Sequence, residues 1–127
     1  MTGYVDNIEQ KTLDNEFFRE VLFTGKYCQL VLMSLKVGEE IGMEVHNTVD
    51  QFFRFESGEG KVVMNGEESL VKDGDAVIVP AGTEHNVVNT SQDKPLKLYT
   101  IYSPPNHPDK TVHKTKEEAM VAEEEEH

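Results

Sequence analysis

At 127 residues, with 12 basic and 24 acidic side chains and a formal net charge of −12, the chain has room for one modest domain around one core. An acidic body is repelled by phosphate backbones and anionic headgroups, which argues against nucleic acid and membrane surfaces as partners, and no run approaches the roughly 18 apolar residues of a membrane span. The single cysteine, Cys28, allows no intrachain disulfide, and the opening MTGYVDNIEQ has neither a basic nor an apolar leader segment, so a cytoplasmic location is expected.

Taken in chain order, the sequence reads as short strands broken by turn residues. After a polar lead, Phe17 to Phe23 alternates, Thr24-Gly25-Lys26 turns the chain, and Tyr27 to Val37 is a long apolar-rich strand, making a first hairpin. Cys28 reads as a small buried hydrophobe, since nothing around it suggests activation. Gln51 to Glu56 is the next strand, followed after Gly58-Glu59-Gly60 by Lys61 to Met64. Asn65-Gly66 is the strongest turn signal in the chain, because both central residues of a type I′ turn need positive φ and this pair tolerates it; Glu67 to Lys72 pairs back. Ala76 to Val79, Asn86 to Asn89 and Leu96 to Tyr102 complete the set. Many short strands with frequent turns predict an all-β sandwich or barrel, with the jelly roll fitting best.

The period of two assigns faces. If Gln51 points inward, Phe53 and Phe55 share its face while Phe52 and Arg54 point out. On the last strand the charge of Lys97 makes Leu98, Thr100 and Tyr102 the inner set and leaves Tyr99 and Ile101 outside. Phe52, Tyr99 and Ile101 then form an outward apolar patch, and a homodimer is expected to cover it. Arg19 reads as a surface or salt-bridged arginine, with an anionic substrate as its other possible partner. Ser103 to Lys116 is too irregular for a strand, and its His107 and His113 read as solvated loop residues. Thr115 with Glu118 has the form of a capping box, so a short helix is expected from Lys116 to Glu126. Glu117, Glu118 and Glu123–Glu126 supply six of the negatives; acid at a helix C-terminus opposes the dipole, and residues 123–127 are expected to be disordered. The predicted division is a single domain over 1–116 with an acidic tail over 117–127.

Two segments carry the chemistry. Glu44 and His46 are two apart, so on a strand both side chains face the same way. The polar stretch Asn47 to Asp50 can bring Gln51 back beside them, and Pro80-Ala81-Gly82 turns the chain so that His85 opens another strand. Two imidazoles, a carboxylate and an amide oxygen suit a borderline or hard divalent ion, Mn, Fe, Ni, Zn or Co, with positions open to water or substrate.

The second segment reads Gly74, five residues, Pro80-Ala81-Gly82, two residues, His85, three residues, Asn89, and it resembles the second motif of the cupin superfamily at every defined position. The first, from Gly38 to Gly58, is similar to that family's first motif in spacing; where the commonest members have two histidines and a glutamate, this chain has Glu44, His46 and Gln51. The resemblance covers residues 28–102. It implies a double-stranded β-helix, or jelly-roll barrel, with a short C-terminal helix or tail, and one divalent ion held by Glu44, His46, Gln51 and His85. The function it implies is action on a small hydroxylated metabolite such as a sugar, sugar phosphate or sugar acid, as an isomerase or lyase through Lewis-acid chemistry. Glu44 would be the general base if it leaves the metal, and Tyr102 the acid. Two alternatives stay open: a non-haem metal dioxygenase, since two His and one carboxylate are the facial-triad ligand types, and a small-molecule binding module without turnover.

Overall fold

The computed structural model describes residues 2–125. A short helix α1 (Ile8–Asp14) precedes eight strands, β1 (Arg19–Thr24), β2 (Gln29–Leu35), β3 (Asp50–Ser57), β4 (Glu59–Met64), β5 (Glu67–Lys72), β6 (Ala76–Val79), β7 (His85–Asn89) and β8 (Leu96–Ser103). A two-residue strand β9 (Val112–His113) and a second helix α2 (Lys116–Glu125) follow. The strands form an antiparallel six-stranded sheet in the order β6-β3-β8-β2-β1-β9, facing a three-stranded sheet in the order β5-β4-β7. This is the predicted all-β, two-sheet architecture.

The core lies between the sheets. Val31, Met33 and Leu35 of β2, Phe53 and Phe55 of β3, and Leu98 of β8 are buried with Val62, Val71 and Val87 of the smaller sheet. Each such side chain is worth about 1.5–3 kcal/mol when withdrawn from water. The face assignments hold: Gln51, Phe53 and Phe55 are buried, as are Leu98, Thr100 and Tyr102, while Phe52, Tyr99 and Ile101 are only half-buried on the outer side. Strand β2 departs from alternation, because α1 lies on the outer face of its sheet, where the Lys97 ammonium donates to the Leu13 carbonyl at 2.8 Å.

Several expectations are corrected. Helix α1 has only Ile8 and Leu13 as large apolar residues and so no readable stripe; its signal is local, the Asn7 side chain accepting from the Gln10 N–H at 3.0 Å. The segment after β8 does contain a strand, since Val112 and His113 pair with Glu20 and Arg19, and two residues are too few to leave a period in the sequence. Cys28 is exposed, because it sits in the β1–β2 turn where its carbonyl accepts from the Gly25 N–H. Residues 123–125, expected to be disordered, continue α2; residues 126 and 127 lie outside the described residues. The helix start is as read, with Thr115 Oγ1 accepting from the Glu118 N–H and the Glu118 carboxylate accepting from the Lys114 N–H. Ala119 anchors the helix in the core. No described helix is long and apolar enough to cross a membrane.

Candidate metal centre

The connection from β2 to β3 runs as a broken strand along β7. The Ile41 N–H donates to the Val87 carbonyl, Glu44 and His85 exchange backbone hydrogen bonds at 2.8 and 2.9 Å, and between them the Gly42 N–H turns to the Asn86 side-chain oxygen. The Glu44-x-His46 spacing therefore acts as it would on a continuous strand although none is formed. The Gly82 N–H donates to the His46 carbonyl, tying the Pro80-Ala81-Gly82 turn to the same place. Glu44, His46 and His85 converge so that one donor atom from each lies within 4.8 Å of the others.

Each donor is prepared differently. His85 is 3% exposed, and its Nδ1–H donates to the Thr83 carbonyl at 2.9 Å. A carbonyl only accepts, so the proton is on Nδ1 and the lone pair on Nε2, which is buried with no hydrogen-bond partner. An orphaned, oriented imidazole nitrogen is what a cation needs, and its ring orientation is already fixed by its backbone partner. His46 Nε2 and Glu44 Oε2 are 3.1 Å apart. Burial is the largest influence on the Glu44 carboxyl and raises its pKa, but the hydrogen bond from His46, together with favourable electrostatics from His46, Arg19 and His85, outweighs it, and the pKa is lowered from its ordinary value. The group is thus ionised at neutral pH. Gln51 donates from Nε2 to Thr100 Oγ1 at 3.0 Å, leaving its Oε1 buried and without a partner. The donor set fits a divalent cation.

The wall of the cluster is aromatic. The His46 ring lies 5.4 Å from His85 and 5.9 Å edge-on from Tyr102, and Phe53 lies against His85. Tyr102, the strand partner of Gln51, has its phenol pKa pushed far up by burial. The reading of His107 as a solvated loop residue is overturned: its Nε2 lies 3.2 Å from the Tyr102 hydroxyl, with the two rings edge to face at 5.1 Å. The segment is drawn in by Gln29, whose side-chain oxygen accepts from the Asn106 and His107 N–H groups while its Nε2 donates to the His107 carbonyl. His113 likewise has a partner, its Nδ1 lying 3.3 Å from Arg19 Nη1. Nothing in the sequence around His107 marked it; only a buried Gln29 hints that some backbone must satisfy it.

Burial first, then the Arg19 charge, lowers the His107 pKa to about 3, against an ordinary value of 6.5. Between those values the unfolded chain binds the proton and the folded one does not, so stability rises with pH through that window and the contribution is complete above 6.5. Denaturant midpoints measured from pH 4 to 7.5 should therefore climb for the wild type and climb less for His107→Gln. Equal slopes would show that His107 is not held neutral.

A two-sheet β-helix with a His-rich donor cluster at one end of its core defines a metal-capable barrel protein of the cupin type. The Cupin domain family model matches residues 31–102, and the chain belongs to that family. It is 52% identical over 126 residues to the uncharacterized protein YrkC of Bacillus subtilis, covering 94% of this chain and 67% of that one. The crystal structure of BH2720 from Bacillus halodurans is similar at 49% identity and a TM-score of 0.91, covering 93% of both chains. A predicted oxalate decarboxylase from Thermotoga maritima shares the fold at 24% identity and a TM-score of 0.59, over 63% of this chain and 69% of that one.

Proposed function

We propose that the chain is a metal-dependent isomerase or lyase for a small hydroxylated metabolite, with Glu44, His46 and His85 holding the ion and Gln51 Oε1 available as a fourth donor. The observation that carries this reading is the contact between two titratable side chains beside the donor cluster, Tyr102 Oη at 3.2 Å from His107 Nε2, with the Tyr102 ring 5.9 Å from that of His46. A divalent ion bound there supplies Lewis acidity toward a carbonyl or hydroxyl oxygen of the substrate. The protein supplies the proton transfers that isomerisation and elimination both need. Glu44 and Tyr102 are pushed in opposite directions, one held ionised and the other held protonated, the pattern that assigns a base and an acid; Glu44 would take the base role only with its carboxylate released from the ion. His107, kept neutral, orients the Tyr102 hydroxyl, and the buried wall of Phe53 and Tyr102 keeps bulk water from the transferred proton.

The test is deuterium wash-in. The metal-loaded protein is incubated in D2O with a panel of aldoses, ketoses, sugar phosphates and sugar acids, and carbon-bound deuterium is read by NMR. Tyr102→Phe should slow exchange by about 10²–10⁴-fold without changing metal content; an unchanged rate removes Tyr102 as the acid. The two-histidine, one-carboxylate donor set also suits O2 chemistry on iron. Turnover that needs both iron and air would establish that second reading, and tight ligand retention with no turnover under any condition would favour a binding module.

We also propose that a second copy of the chain covers the outer face of the larger sheet. Phe52 and Tyr99 lie with ring centroids 6.2 Å apart, and neighbouring Ile78 is 65% exposed, an apolar surface that association would withdraw from water. Sedimentation equilibrium should give a dimer at micromolar concentration. A monomer there rejects the arrangement.

A further inference from the structure

The turn over residues 80–83, between β6 and β7, is exposed at Pro80, Ala81 and Gly82, so hydrogen bonds rather than packing hold it in place. The Gly82 N–H donates to the His46 carbonyl at 2.8 Å and fixes the backbone from which the His46 imidazole projects. One residue on, the Thr83 carbonyl accepts from His85 Nδ1–H at 2.9 Å and sets the tautomer and tilt of that ring. A single turn therefore orients two of the three donors that converge in the cluster. Within it the Thr83 N–H donates to the Pro80 carbonyl at 3.2 Å, so a displacement at Ala81 is passed on to Gly82 and Thr83. Pro80 decides where the turn is anchored. The ladder between β3 and β6 ends at the pair Gln51–Val79, and a proline has no N–H with which to extend it. The first donor beyond the proline is the Ala81 N–H, and Asp50 Oδ1 accepts it at 2.9 Å. A carboxylate on β3, one residue before Gln51, thus continues by side chain a ladder that the backbone cannot continue.

We propose that Asp50 is a positioning residue for the metal centre: by holding the Ala81 N–H it locks the turn over residues 80–83, and through that turn the Gly82 and Thr83 contacts that aim His46 and His85 at one point. The assignment rests on the metal-holding role proposed above for Glu44, His46 and His85. A carboxylate bond to a backbone N–H is charge-assisted and about twice as strong as a neutral one, and partners that orient a ligand are worth about 10–100-fold in metal affinity although they never touch the ion. The backbone of Asp50 lies in register with Ser103 of β8 while its carboxylate reaches the turn, so the turn is referenced to the interior of the larger sheet and not to a loop. Asp50 is itself exposed, and replacing it leaves the core untouched. Asp75 is the matched control. Its Oδ2 accepts from the Lys72 N–H at 2.9 Å, a bond of the same kind in the turn from β5 to β6, which carries none of the three donors.

Zinc titrations of the metal-free full chain against a competing chelator compare the wild type with Asp50→Asn, Asp50→Ala and Asp75→Ala, and N–H exchange with water is read by NMR in the same metal-free samples. Asp50→Ala should weaken zinc about 10-fold, the lower end for an orienting partner because the bond is exposed, and should speed exchange of the Gly82 N–H and the His85 Nδ1–H by about 10-fold or more. Asp50→Asn keeps an oxygen that accepts from Ala81 without the charge and should recover most of both effects, while Asp75→Ala should produce neither. An Asp50 that served only stability would lower the urea midpoint and leave zinc affinity and both N–H signals at their wild-type values. That result, an Asp50→Asn as weak as Asp50→Ala, or a loss of zinc affinity in Asp75→Ala equal to that in Asp50→Ala each overturns the proposal. Faster Gly82 and His85 exchange in Asp50→Ala, in a chain that binds no zinc in any form, would retain the positioning role and reject the metal centre, whereas wild-type zinc affinity in Asp50→Ala would retain the centre and reject the role of Asp50.

Discussion

Replacing His46 and His85 together by alanine is expected to take divalent-ion content from about one per chain to background, measured by elemental analysis after purification without chelator. Loss of a residue that merely orients a ligand costs 10–100-fold in metal affinity, so removing two ligands should cost about 10⁴-fold or more. The single variants should rank. His85 is nearly fully buried, with its tautomer set by the Thr83 carbonyl and its Nε2 aimed at nothing else, so His85→Ala should lose more than His46→Ala, whose imidazole also has Glu44 as a partner. Gln51→Ala should lose least, since a neutral amide is the weakest donor of the four. Stability separates a ligand from a packing residue. An orphaned buried nitrogen costs about 1–3 kcal/mol, so His85→Leu should leave the metal-free chain as stable as the wild type or more so, while removing the stabilisation that added Mn or Zn brings to the wild type. If the double variant keeps wild-type metal stoichiometry, the ion is held elsewhere.

Gly58→Ala is expected to remove a large part of the fold's stability. Gly58 is the corner at which the chain leaves the six-stranded sheet after β3 and enters the three-stranded sheet at β4, and it takes φ +97 there. A Cβ at this position would lie 2.5 Å from the Pro95 carbonyl oxygen and 3.1 Å from Leu96 Cα, both backbone atoms that cannot swing aside. Left-handed backbone costs an L-residue about 1–2 kcal/mol, and overpacking against fixed neighbours adds about 1–3 kcal/mol, which together approach half of a typical 5–15 kcal/mol total. Gly82→Ala is the matched control: its φ is +84, but a Cβ there meets nothing within 4 Å. Urea midpoints should show a drop for Gly58→Ala several times that for Gly82→Ala. Similar drops would mean that the corner relaxes and that close packing against Pro95 is not the cause.

Gly58 and Gly82 both belong to the spaced motifs, and the sequence marks them alike; their unequal expected costs come from what surrounds each in space. The same division runs through the rest of the protein. Local rules decided which faces of β3 and β8 turn inward, because alternation is a property of each strand by itself, and they decided the Asn65-Gly66 turn, where φ values of 48 and 83 are observed. The spacing of Glu44, His46 and His85 sufficed to name a metal-capable cluster, since the short connections beside β7 leave those side chains few places to go. Tertiary structure alone decided where Arg19 and His107 are buried, what they touch, and that α1 covers the larger sheet. Arg19 and His113 are 94 residues apart in the chain, and no period links them; their contact follows from β9 pairing with β1. His107 becomes a neutral partner of Tyr102 because the buried amide of Gln29 must be satisfied and takes the backbone of residues 106 and 107 to do so. A sequence determines which side of a strand a residue faces, because that depends on its immediate neighbours, whereas the partner of a buried charge or amide depends on strand order and register, which exist only once the sheets have formed.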